Sequence, residues 1–352
     1  MEQYRVYDRQ SLDFVDGGVV RGYSIDDDYL SNNASTVTLV DKTAAKKDDI
    51  VIGQSGMNKT FIGVITAVDN TKRKISFKHP KELFSDTVLN PFKYTGTIGY
   101  KFELTAAMET VLSLAFITTD DAKKKLPLRV EKYGTASGAV WADDGDTLNI
   151  SDFIAWAFDS HNVYLDFDID FTANKLVCKI VKNTMTGYVI KDNIMLSTPT
   201  FDKNELPTYN KAVVYNAATG AILGTYYLLA DNTVTTSGTN ENRLLPVHTK
   251  YISYDADKGY SPLEVAQSDL QGNIYNHCIQ YKFSKEQRLV DPLAFKYGDG
   301  VKIIYDGREY DSIFTGLKYT KDAPYITCLF GKTRIDFTDR LKQYIDKRYR
   351  KI

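Results

Sequence analysis

The 352 residues include three cysteines, four histidines and no apolar run long enough to approach a membrane span. Three thiols (Cys178, Cys278, Cys328), odd in number and widely spaced, make no disulfide framework. Each falls in a stretch that reads as strand, which predicts buried free thiols in a reducing compartment. The opening MEQYRVYDRQ lacks an apolar h-region, so neither a standard secretion signal nor membrane insertion is expected. An excess of one charge is missing too: Lys+Arg 44 against Asp+Glu 45 leaves a net charge of −1, and no global field points to nucleic acid or a lipid surface. The histidines (His79, His161, His248, His277) have no metal-ligand spacing, and the sequence carries no HExxH, CxxC, G-x-S-x-G, P-loop or G-x-G-x-x-G. No residue is assigned as catalytic, cofactor-binding or metal-binding, and no cofactor is expected.

What is present is mostly β. Hydrophobic content of 43%, 25% charged residues and 25 tyrosines describe a globular chain rich in half-buried pleated surface. At this length two to four domains are expected. From Gly298 to Phe337 the chain reads as a meander: Val301, Ile303 and Tyr305 share one face, and Asp306-Gly307 is a two-residue turn signal. Strands follow over Glu309–Lys318 and Tyr325–Phe330. A faint echo stands about 250 residues earlier, from Asp48 to Phe84. Both stretches open a strand with an acid (Asp49, Asp299), turn at a glycine (Gly56, Gly307) and pass a glycine-centred step. That step is Ile62-Gly63-Val64 in one and Thr315-Gly316-Leu317 in the other. A closing strand follows, Ile75–Phe77 or Ile326–Leu329.

The fold class expected is mainly β with an α+β insert: two related small β-barrels bracketing a helix-plus-sheet domain. Residues 1–101 form the first barrel, with strands over Gln3–Tyr7, Val19–Tyr23 and Tyr29–Val40 and a turn at Asp16-Gly17-Gly18. Residues 102–200 form the α+β unit. One helix there is capped by Thr105 and carries Met108, Val111, Leu112 and Ala115 on one stripe; a second starts at Ser151. The strand VYLDFDIDF then faces Val163, Leu165, Phe167, Ile169 and Phe171 one way and Tyr164, Asp166, Asp168 and Asp170 the other. Residues 201–337 form the second barrel, with a helix-containing insertion near 244–285 that begins at the capping box Ser261-Pro262-Leu263-Glu264. Residues 338–352 form a basic amphipathic helix carrying Arg340, Lys342, Lys347, Arg348, Arg350 and Lys351.

Polar clusters have plain readings. Asp166, Asp168 and Asp170 lack the glycine and the terminal glutamate of a calcium loop, and they alternate with large apolar residues, as a strand face does. Asp143, Asp144 and Asp146 sit in a turn after Trp141. His277 and Cys278 are strand neighbours whose side chains point to opposite faces. Were the chain a wall hydrolase, Asp143, Asp144, Asp146, His277 and Cys278 would be its candidates. Were it a carbohydrate-binding module, the Tyr-rich β surfaces and the polar tongue Asn232–Arg243 would serve.

The order of segments is informative. DDIVIG, FIGVITAVD, YNKAVVYNAATG, SPLEVAQSDL and the final GDGVKIIYDGREYDSIFTGLKY, closing in ITCLFGKTRIDFTDRL, together resemble the hub proteins of bacteriophage tails. These are the hubs of contractile baseplates and the N-terminal part of tail-associated lysins in long non-contractile tails. The resemblance implies two barrels per chain and a homotrimer whose six barrels match a sixfold tube. It further implies a place at the virion tail tip, assembled in the host cytoplasm. The implied partners are the distal tail protein ring, the tape-measure protein, and baseplate or receptor-binding proteins, with DNA met only in transit. Some relatives carry a wall-degrading domain after the hub module. Here the sequence stops at Ile352, so the expectation is a structural part and no enzyme.

Overall fold

A computed structural model describes residues 2–332, apart from 32, 57, 95–100, 142–144, 185–186, 192–196, 198, 204–208, 232, 256–259, 272–274, 276 and 287–288. The C-terminal helix expected over 338–352 lies outside the described residues.

The first module is built from β1 (Glu2–Tyr7), β2 (Phe14–Asp28), β3 (Ser35–Leu39), β4 (Ile50–Ser55), β5 (Asn58–Asp69) and β6 (Lys74–Lys78). Antiparallel ladders link them in the cycle β1-β4-β5-β6-β3-β2 and back to β1. Inside the cycle sit Val6, Val37, Val51, Ile65, Ile75 and Phe77, each nearly inaccessible. One expectation fails here: Asp16-Gly17-Gly18 is not a turn but runs within β2, opposite Val6, Arg5 and Tyr4. The turn falls earlier, where Asp8 accepts from the amides of Gln10 and Ser11, and Leu12 takes a positive φ. Hydrogen bonds from nearby amides to an aspartate side chain outweighed the glycine pair as a turn former.

The middle unit packs α1 (Leu104–Phe116) and α2 (Ile150–His161) against a sheet of β7 (Leu128–Tyr133), β8 (Val163–Asp170) and β9 (Lys175–Lys182). The α1 stripe Met108, Val111, Leu112 and Ala115 is buried. Its cap is Glu103 rather than Thr105, because the longer carboxylate reaches the amides of both Thr105 and Ala106. Asn149 caps α2, whose first residue, Ile150, is one before the expected Ser151. On β8 the face Val163, Leu165, Phe167 and Ile169 is buried, while Asp168 and Asp170 meet Lys179 and Arg129. Tyr164 shares the acidic face yet is 5% exposed, since Tyr297 packs edge-on against it.

The second module comprises β10 (Gly187–Lys191), β11 (Thr200–Lys203), β16 (His277–Ser284), β17 (Gly300–Tyr305), β18 (Arg308–Thr320) and β19 (Tyr325–Phe330). Its order is β10-β17-β18-β19-β16-β11. The ladders thus give Gly187–Lys191 to the second module. Its core gathers Ile279, Tyr281 and Phe283 with Ile303, Phe314 and Phe330. Between β11 and β16 the chain forms a four-stranded sheet: β12 (Lys211–Asn216), β13 (Ile222–Leu228), β14 (Val234–Thr235) and β15 (Thr249–Tyr254). Helix α3 (Pro262–Leu270) packs on this sheet. The capping box that starts α3 is formed in both directions between Ser261 and Glu264.

Candidate functional site

The two modules repeat one another in detail. Ahead of β4, the Asp49 carboxylate accepts from the Lys46 amide at 2.8 Å; ahead of β17, Asp299 accepts from Lys296 at 2.9 Å. The residue before each acid has positive φ, +73° at Asp48 and +81° at Gly298. Each acid's carbonyl then accepts from the crossing strand, Ile65 in one module and Phe314 in the other, both at 2.8 Å. One residue later each crossing strand carries a bulge, at Thr66 and Thr315. Both hydroxyls donate across the sheet, to the carbonyls of Ser76 and Leu329, which stand opposite the residue after the bulge. An extra residue, a bend and a satisfied hydroxyl recurring together mark two copies of one design.

This register corrects the sequence alignment. Ladder positions make Gly63 the counterpart of Ser312, and Gly316 the counterpart of Ala67. The two glycines looked equivalent, yet each answers a different crowding. A Cβ on Gly63 would stand 2.2 Å from the Phe77 ring and 2.7 Å from the Lys78 carbonyl, inside its own module. A Cβ on Gly316 would meet the backbone of Asp27 and Asp28 at 2.6–2.7 Å, in the other module.

That contact marks the seam. Ser24–Asp28 of β2 pairs with Gly316–Thr320 of β18, so one sheet runs from the first module into the second. Tyr29 extends the ladder by donating its amide to Thr315 at 3.0 Å. Lys318 bridges Asp26 at 3.0 Å, the Tyr319 hydroxyl donates to the Thr60 carbonyl at 2.6 Å, and Lys321 donates to Val20 at 3.0 Å. Tyr319 and Tyr23 pack edge to face. Because β18 is held by β2 over the same residues that β19 holds from the other side, the modules cannot slide without breaking five paired positions.

The middle unit locks the seam from behind. Leu165 donates its amide to the Tyr29 hydroxyl at 3.0 Å, and Lys59 donates to the Phe167 carbonyl. Asn162 reaches the Gly298 carbonyl at 2.9 Å, and Asn183 bonds Asp299 at 3.0 Å. Half-buried titratable groups collect here. Burial raises Asp27, whose carboxyl is bonded to Tyr297. Burial lowers Lys81, which donates to the Tyr29 carbonyl and lies over the Tyr29 ring. Burial also lowers His79 to about 3, and the positive charges of Lys81 and Lys59 push it the same way. Lys332 falls to about 8 through burial, against the raising influence of Asp159; it donates to the Asp159 carbonyl at the end of α2. An open cleft of about 1340 Å³ runs along this junction, with Glu2, Tyr23, Lys59, Asp166, Tyr297 and Tyr319 among its walls. Acids and lysines alternate there, giving no field of one sign.

The hydrolase candidates do not converge into one described constellation. Asp143 and Asp144 lie outside the described residues, and Asp146 is exposed and paired with Lys93. His277 hydrogen-bonds Ser312 at 2.8 Å, while Cys278, its strand neighbour, is buried toward the other face. Ser312 itself is 2% exposed, and it is the residue the repeat substitutes for Gly63. Sequence reading missed this pair because its partners lie 35 residues apart on different strands. Among the described residues, no group of three or more His, Cys, Asp or Glu could hold a metal.

No protein-family model matches the chain, and no curated protein matches it. Solved structures do. A chain of the phage P2 baseplate in its activated conformation is similar over 94% of this chain and 99% of its own, at 15% identity and a TM-score of 0.51. A tail protein from Neisseria meningitidis MC58 matches over 96% and 98%, at 10% identity and a TM-score of 0.55. Prophage tail protein gp18 of Listeria monocytogenes EGD-e matches over 95% and 96%, at 15% identity and 0.52. The resemblance read in the sequence is therefore matched in three dimensions, and the chain has the fold of phage baseplate and prophage tail proteins.

Proposed function

We propose that the protein is a structural hub of a phage tail tip, a trimeric ring that connects the sixfold tail tube and the distal tail protein to the tip. The observation that carries this reading is the duplication. Two modules with the same acid-capped turn and the same bulge, fused through one sheet, give each chain two near-equivalent docking faces. Three such chains would present six modules, and a ring of six can dock on a sixfold tube. The fold it shares with baseplate and prophage tail proteins over nearly its whole length supports the same role. In this reading the chain binds copies of itself, the distal tail protein ring, the tape-measure protein, and baseplate or receptor-binding proteins. DNA passes through the lumen, and the chain catalyses no reaction.

Electron microscopy of assembled tail tips, with the stoichiometry read by native mass spectrometry, tests the proposal. Three copies in one ring beneath the tube are expected. A chain that is absent from tail particles, or present as single copies, would refute it.

A second reading has one observation in its favour. On the open face of the four-stranded sheet Tyr251 is 69% exposed, and Arg243 stacks 3.9 Å over the Tyr227 ring. Such a face suits the flat side of a sugar. Binding of the isolated chain on a glycan array, lost on Tyr251→Ala, would favour it.

A further inference from the structure

β18 has a neighbour on each side along Gly316–Tyr319: β19 on one, β2 on the other. Its counterpart β5 has one such neighbour, among the described residues, over the equivalent stretch Ala67–Asp69. Beyond Val64, where the β4 ladder ends, Ala67–Asp69 pairs with β6 and has no second ladder among the described residues. Ala67, Asn70 and Thr71 are exposed there. Among the described residues the second module has a matching open edge. Through the ladders to β3 and β16, β11 is the counterpart of the end of β2: Ser24 opposes Thr36, Thr200 opposes Gln280, and Thr36 and Gln280 are equivalent. Along its other side β11 has no ladder among the described residues. Among the described residues the chain thus contains one strand-to-strand junction that is made and the two halves of the same junction unmade. A free sheet edge is a template for a strand, and natural proteins rarely leave one without a partner or a guard.

We infer that β11 of one copy adds to the β5 edge of a second copy, in the register that β2 uses on β18. Transferred residue by residue, Ile25 opposite Tyr319 becomes Phe201 opposite Asn70; Asp26 opposite Lys318 becomes Asp202 opposite Asp69; Ser24 opposite Thr320 becomes Thr200 opposite Thr71. This deepens the hub proposal and rests on it, since the ring is what brings a second copy to this edge. The loop before β4 does not stand in the way. Asn70 clasps Thr43 with bonds of 2.9 and 3.0 Å to its amide and carbonyl, and both are made by its side chain. The corresponding loop before β17 ends in the same acid-capped turn, and there it coexists with β2 on the β18 edge. Each junction runs head to tail, from a β2-type edge to a β5-type edge. When the made and unmade junctions apply the same rotation, six modules close into a ring and no edge is left over.

Cysteine cross-linking reads the register. Tyr29 and Lys321 donate their amides to Thr315 and Tyr23, which makes the odd-numbered β18 positions the hydrogen-bonded ones. Asp26 and Lys318 therefore form a non-hydrogen-bonded pair, whose Cα atoms lie about 4.5 Å apart, within reach of a disulfide. Asp69→Cys and Asp202→Cys in one full-length chain, with Cys278→Ala because Cys278 opposes Asp202 in the β16 ladder, are expected to give a covalent trimer under mild oxidation. The shifted pair Thr71→Cys with Asp202→Cys gives none. Unmodified protein supplies an independent readout: amide exchange at Val68 and Asn70 slows at least tenfold as the chain passes from monomer to oligomer. A trimer that forms without this cross-link and without that protection overturns the strand addition and leaves the hub proposal standing. A chain that stays monomeric at every concentration and in tail particles overturns both.

Discussion

Gly316 offers the sharpest perturbation of the seam. A single added methyl at this position, Gly316→Ala, places a Cβ 2.6 Å from the Asp28 Cα and 2.7 Å from the Asp27 carbonyl oxygen. Both are backbone atoms held in a ladder, so neither can swing aside as a flexible side-chain end would. Relief requires β2 and β18 to part by several tenths of an ångström along a stretch with five paired positions. Overpacking of this kind costs about 1–3 kcal/mol. At about 1.4 kcal/mol per tenfold, that corresponds to roughly 5- to 150-fold in the opening equilibrium of the seam. Hydrogen exchange resolves where the cost falls: amides of Ile25, Asp27, Leu317 and Tyr319 are expected to exchange faster by that factor. Amides of β4 and β6, far from the seam, keep their rates. Gly63→Ala is the matched comparison. Its Cβ meets the Phe77 ring and the Lys78 carbonyl, so it loosens the first module's interior and spares the seam. If Gly316→Ala leaves seam exchange and the denaturation midpoint unchanged, the argument that backbone crowding fixes the module junction is wrong.

The other predictions concern separate contacts. His79 is lowered to about 3 by burial, so the folded state holds its proton less tightly than the unfolded chain does. Its contribution to stability is complete above about pH 6.5 and shrinks as pH falls toward 3, by about 1.4 kcal/mol per unit; His79→Gln should flatten that part of the stability–pH curve relative to wild type, and parallel curves would refute it. Thr315→Val removes a buried hydroxyl whose single proton is shared between the Leu329 and Gly331 carbonyls, which costs about 1–3 kcal/mol by urea denaturation. Thr66→Val, losing one half-buried bond to Ser76, costs less, and equal losses would contradict the difference in burial. Ser261→Ala removes the hydroxyl arm of the α3 capping box and costs about 1 kcal/mol. Faster exchange confined to the first turn of α3 is its signature.

Much of the fold was legible because it is written in local pattern. Tyr325–Phe330 and the turn at Asp306-Gly307 are where alternation and turn chemistry put them. So are the α1 stripe and the Ser261 box, each set by residues within a few positions of one another. Local chemistry failed where two rules competed nearby. Asp8 out-competed Asp16-Gly17-Gly18 for the turn, and Glu103 out-reached Thr105 for the cap.

The seam was not legible, because a ladder between Ser24–Asp28 and Gly316–Thr320 joins residues nearly 300 positions apart, and no local period records it. The same holds for the half-buried charges. Nothing in the surrounding sequence distinguishes Lys81 or Lys332 from a surface lysine; the packing of the middle unit against the modules leaves both half-buried and lowers both.

By itself the sequence determined a mainly β chain with a helix-bearing insert and a repeated module, since periodicity, capping and turn formation act over a few residues. Tertiary structure alone decided which glycine answers to which, how one sheet fuses the modules, and which edges stay open among the described residues. Those are matters of ladder register, and register is fixed by the strand on the other side.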